Sequence, residues 1–266
     1  MKITKIAFAI MLCISMISCA SDDDASGEDL TGQTGELILK FDNGVGDQDF
    51  IFGTTYSKSN NESYKLDNLK YIISNVQLTD DPGNVFTYPT ADNVFIVDEA
   101  NGNNAGEIYV VLENVTAADY VSVSFGVGID QDRFALGADG QGDFLEYAQD
   151  QGMFWSWASG YKFIRFDGTF SSDTMTDEPL NLHMGSVGTS LDNYRAVNLT
   201  LPNTVRVREA SQPEIHIVAD ISQAFDGETS VNFMDGYDQV HTDANETPII
   251  ANNVMGMFEV HHIHNN

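Results

Sequence analysis

Six histidines, at positions 183, 216, 241, 261, 262 and 264, are the side chains of this sequence best suited to chemistry, and all lie in its second half. Neutral imidazole binds copper, zinc and nickel, so the residue type points to a transition metal without choosing one. Side chains of an extended strand alternate between its faces. His262 and His264 therefore face the same way if the terminal segment is extended, and two imidazoles on one face can grip one ion. His241 follows Val240 in a loop-like stretch and can swing toward that pair. His216 lies in the alternating run Glu214–Val218 and reads as structural. On local grounds His183, an isolated histidine in Leu180–Gly185, also reads more readily as structural than as a ligand.

The second unusual segment, Gly152–Tyr161, holds both tryptophans. If it is extended, Met153, Trp155 and Trp157 share a face. Two rings and a thioether there build a hydrophobic core corner, or they wall a metal pocket and exclude water. Catalytic patterns are missing. There is no Gly-x-Ser-x-Gly elbow, no phosphate-binding glycine loop and no His-Glu-x-x-His, which points away from an enzyme. The acidic clusters Asp130–Asp132 and Asp139–Asp143 do not complete a calcium loop.

These residues need a scaffold, and the composition favours strands. The chain has 266 residues, 42% hydrophobic and 20% charged, enough for a packed core. Forty acids against twelve bases give a net charge of -28, which repels nucleic acid and anionic membrane surfaces. Short runs rich in Val, Ile, Thr, Tyr and Phe between turn residues predict strands at 35–41, 69–78, 93–97, 107–112, 120–126, 161–170, 180–184, 196–201, 205–207, 214–220 and 257–264. Helices are expected at 143–149 and near 221–225. The fold class expected is all-β, a β-sandwich of about ten strands with one or two short helices.

The amino-terminal segment is read as a targeting signal. Lys2 and Lys5 precede an apolar stretch from Ile6 to Ile17, which is short for a membrane span and fits a secretory signal. Met16-Ile17-Ser18-Cys19 resembles a lipoprotein processing box, with Cys19 as the lipidated residue. Asp22, Asp23 and Asp24 follow it and resemble the export tag of surface lipoproteins in the Bacteroidetes. The expected organisation is a signal peptide at 1–18, a lipid-anchored flexible tether at 19–34 and one β domain at 35–266. The expected location is the outer membrane or cell surface, with the membrane touched only through the anchor. Cys13 and Cys19 are the only cysteines, so the mature domain has no disulfide and no thiolate ligand.

Across residues 36–188 the sequence resembles the MbnP-like copper-binding family. The matching pieces are Phe41–Gly46, Tyr71–Leu78, Ser124–Asp130, Met153–Trp157 with Gly160–Tyr161, and His183–Gly185. The resemblance implies a secreted β-rich domain that binds copper through histidines. It adds His183 to the candidate ligands, although Met184 separates it from the glycine of the family motif. It also implies that Trp155 or Trp157 can be oxidised to kynurenine, a further copper ligand, by a dihaem peroxidase-like partner. The expected site is one copper ion per chain held by His262 and His264, with His183 or His241 completing the set. The function expected is copper acquisition, buffering or delivery. The alternative is a cell-surface interaction or glycan-binding module with an incidental histidine tail.

Overall fold

Alternation of apolar and polar residues drives the first strand: Leu37, Leu39 and Phe41 are fully buried, and Ile38, Lys40 and Asp42 take the other face. The computed structural model describes residues 28–89 and 91–266. The expected signal segment, Cys19 and much of the expected tether lie outside the described residues.

The strands are β1 (Thr34–Val45), β2 (Gln48–Asp49), β3 (Tyr56–Ser57), β4 (Ser63–Asp80), β5 (Val85–Thr87), β6 (Val94–Asp98), β7 (Glu107–Thr116), β8 (Ala118–Val127), β9 (Phe154–Ser156), β10 (Gly160–Tyr161), β11 (Ile164–Ser171), β12 (Glu178–Leu182), β13 (Arg195–Val207), β14 (Glu214–Asp220), β15 (Gln239–Val240) and β16 (Phe258–His264). Four short helices, α1 (Gln131–Ala135), α2 (Phe144–Asp150), α3 (Gln223–Asp226) and α4 (Thr247–Met255), fill the connections. The smaller sheet runs β16-β14-β1-β2, with β7 also on β1. The larger runs β13-β8-β4-β11-β12-β15, with β3, β5 and β6 also on β4. The two sheets face each other across one apolar core, giving the expected all-β sandwich. Phe41 and Phe258 of the smaller sheet meet Tyr71 and Phe125 of the larger in edge-to-face pairs, with ring centroids 5.2–6.1 Å apart.

Several elements differ from the sequence reading, and two of them show why. The strands expected at 196–201 and 205–207 are one strand, β13, whose register against β8 shifts between Thr200 and Val205. The longest helix, α4, falls where the sequence predicts no element, since Ile249, Ile250, Asn252 and Asn253 are weak helix formers. Pro248 in its first turn and the Asp243 carboxylate, which accepts from Asn245 N and Glu246 N at 2.7 and 3.2 Å, start it. Ile250, Ala251 and Val254 then bury its inner face.

One carboxyl at the end of the smaller sheet is under strain from its charge. Burial, with Asp42 and Asp98 nearby, raises the Glu99 carboxyl to about 7 despite a 2.8 Å hydrogen bond from Asn43 Nδ2. Between about 4.5 and 7 the folded protein holds a proton that the unfolded chain has released, so this group's contribution to stability falls as pH rises. Glu99→Gln keeps an acceptor for Asn43 and removes the charge. It should add about 1–2 kcal/mol at pH 8, after discounting for solvent screening, and almost nothing at pH 4. Urea unfolding at the two pH values checks this; an equal gain at both would remove the explanation.

Candidate metal centres

The larger sheet builds the first centre at its edge. β12 and β15 run parallel, with Leu182 opposite Val240. The next residues along the two strands are His183 and His241, so parallel register sets them side by side. Their rings lie 5.2 Å apart at an interplanar angle of 87°, and the His183 amide donates to the Val240 carbonyl at 2.8 Å. His183 Nε2 bonds to Asp167 on β11, and the His241 ring lies near the Gln239 backbone. Holding one nitrogen fixes the His183 ring and leaves its other nitrogen as a lone pair, as metal-binding histidines require.

Charge around this pair is mixed. Burial would raise the Asp167 carboxyl, but hydrogen bonds from His183 and Asn68 and the Arg165 charge outweigh it and hold it at about 2. Burial lowers the pKa of His241, reinforced by His183 and Lys162 and opposed by the Gln239 backbone, which favours the neutral, ligating ring. Trp155 flanks His241 at 6.4 Å between rings, and Lys162 Nζ sits 5.8 Å above the indole.

The other two residues of the tryptophan segment go elsewhere. β9 is three residues long and turns at Trp157–Ser159, so the alternation that would put Met153, Trp155 and Trp157 on one face is broken. Trp157 stacks on Phe134 at 5.1 Å, and Met153 is fully buried. The sequence expectation of a shared face is corrected accordingly: only Trp155 reaches the histidines.

The smaller sheet carries the second centre on its outer face, at β14 and its edge neighbour β16. His216 is directly opposite His262, with ring centroids 4.5 Å apart. His262 and His264 share a face, as alternation requires, and their Nε2 atoms are 2.8 Å apart. His261 would point away in a regular strand. It joins the cluster because the register shifts between His216 and Ile217, making His261 the extra residue of a β-bulge. Its Nδ1 is 2.7 Å from His262 Nδ1. Two overlapping triads result, His216–His261–His262 and Glu214–His262–His264, each with candidate donor atoms within 4.8 Å of one another. His216, read from sequence as structural, is thus part of a metal-capable cluster. The signal that could have found it is its cross-strand pairing, which a sequence does not display.

The structure therefore brings together His183 with His241 and His262 with His264, but in separate places. Among the described residues, neither metal-capable triad includes His183 or His241. The expected set, in which one of these completes the terminal pair, is not brought together: the two pairs lie on different sheets.

The model of the MbnP family matches residues 34–249, a span that includes His183, His241 and both tryptophans and ends before β16. Among solved structures, MbnP from Methylosinus trichosporium is similar at 16% identity and a TM-score of 0.46, over 75% of this chain and 79% of that one. No curated protein matches. With the family model covering most of its length, the chain belongs to the MbnP family.

Proposed function

We propose that this protein is a secreted, surface-anchored lipoprotein that binds copper at His183 and His241 for acquisition, buffering or delivery, and that it is not an enzyme. The observation that carries the reading is the parallel register of β12 and β15, which sets the two rings side by side beside Trp155. The residues fit the metal. Two imidazoles side by side, the His183 ring oriented through its Nε2, form a donor set suited to copper, and no thiolate is needed. Cys19 is the proposed anchor. A dihaem peroxidase-like partner is the proposed oxidant of Trp155, whose kynurenine form would add an amine and a ketone beside the histidines.

Untagged protein loaded with copper and dialysed should keep a tightly held ion that His183→Ala/His241→Ala lacks, so the double variant should hold one ion fewer per chain. Peptide spectra of protein from its native host should show kynurenine at Trp155 and an intact Trp157. Unchanged copper stoichiometry and affinity in the double variant would refute the site.

A further inference from the structure

We propose that β14 and β16 hold a second metal ion, a divalent cation of the copper–zinc class, through His262 Nε2, His264 Nε2 and the Glu214 carboxylate. This goes beyond the copper site at the edge of the larger sheet and uses none of its residues.

Hydrogen bonding decides which nitrogens are free. His216 Nε2 lies 3.1 Å from Asp42 Oδ2, and a carboxylate only accepts, so that nitrogen carries the proton and Nδ1 is a lone pair. His262 Nδ1 lies 2.7 Å from His261 Nδ1 and can donate to it, which leaves His262 Nε2 as a lone pair. These two acceptors face each other at 3.4 Å. Two lone pairs so placed repel unless a proton or cation lies between them. In the metal-free state His264 Nε2, at 2.8 Å from His262 Nε2, can supply a proton. A metal replaces that proton and takes the donor atoms of Glu214, His262 and His264, which lie within 4.8 Å of one another. His261, which takes the Nδ1 proton of His262, and His216, which faces its Nε2, are positioning residues in this arrangement.

Glu214 supplies the third ligand. Its Oε1 is tied to Lys40 Nζ at 2.9 Å, and its carboxylate groups with His262 and His264. Lys40 is the opposing charge on this face, and it is shared between Glu214 and Glu107. A cleft of about 310 Å³ beside His216 and His261 is lined by Asp42, Asp47, Asp49 and Glu259, which concentrates cations at the site. The edge of the larger sheet instead places Lys162 and Arg165 near its histidines. A doubly charged ion is therefore favoured at the acidic site. Imidazole and carboxylate ligands rank Cu²⁺ above Zn²⁺.

The test uses the untagged chain carrying His183→Ala/His241→Ala, stripped of metal and titrated with Cu²⁺. One ion per chain should survive dialysis and show imidazole-nitrogen superhyperfine structure in its electron paramagnetic resonance spectrum. Adding His262→Ala/His264→Ala should abolish that ion without changing the melting temperature of the metal-free protein. The exposed His264→Ala alone should weaken it. A His183→Ala/His241→Ala protein that retains no Cu²⁺, or one whose ion is indifferent to the β16 substitutions, overturns the proposal. If wild type holds a single ion, the pair of substitutions that removes it identifies which of the two sites is real.

Discussion

Gly185→Ala should cost about 3 kcal/mol of stability and strip copper from the His183–His241 centre. A β-carbon at 185 would lie 2.1 Å from the Tyr161 carbonyl oxygen and 2.9 Å from the Trp155 ring. Neither side can give way easily. Residue 185 forms an antiparallel bridge with Lys162, and the Met184 carbonyl accepts from Phe163 N and Ile164 N at 2.7 and 3.2 Å. On the other side, the fully buried Asn193 donates to the Gly185 carbonyl and to Thr247 Oγ1, each at 2.8 Å. The added methyl must push β10 or the indole, and the indole is the softer of the two. Urea unfolding with copper titration checks both halves. A variant within about 0.5 kcal/mol of wild type would show that the backbone yields and that the close approach is not a constraint.

Phe258→Ala should cost about 3–5 kcal/mol, a large cost for one side chain. Phe258 opens β16 and is only 6% exposed. Its ring meets Phe125, Tyr71 and Phe41, so truncation empties the meeting point of the two sheets. The cavity would lie directly beneath the strand that carries His262 and His264. Amides of β16 should then exchange with solvent faster than those of β4 or β11, and Cu²⁺ held at β14 and β16 should be weakened while copper at β12 and β15 is not. Hydrogen exchange measured element by element gives the answer. Uniform acceleration across both sheets would mean that β16 is not separately anchored by this ring.

Period-two patterning made most of the sheet legible. The strands around Leu37–Phe41, Leu69–Leu78 and Glu214–Asp220 follow from alternating or β-branched runs, and so does the common face of His262 and His264. What stayed hidden depends on pairing between distant segments. β15 is two residues long, and nothing in Gln239-Val240 announces that it aligns in parallel with β12 and delivers His241 to His183. Glu214–Val218 is apolar enough to be buried on either face, so only its neighbours decide that His216 points outward to Asp42 and His262. His261 required a bulge, and the separation of Trp155 from Trp157 required a turn one residue after β9. In each case the residue type was visible in the sequence and its partner was not.

The parallel pairing of β1 with β14 has a consequence for biogenesis. The hydrogen bond from His216 to Asp42 spans 174 residues, and β16 can join only after β14 has paired. As the chain is synthesised from its amino end, β7 can cover one edge of β1 early. The other edge, where β14 pairs, stays open until almost the whole polypeptide has been made. An unpaired edge beside Leu37, Leu39 and Phe41 is a template for pairing between nascent chains. Closure over such separations is slow, on the order of milliseconds to seconds or longer. A holding chaperone would therefore act on β1, and a stalled or shortened polypeptide would aggregate through that edge.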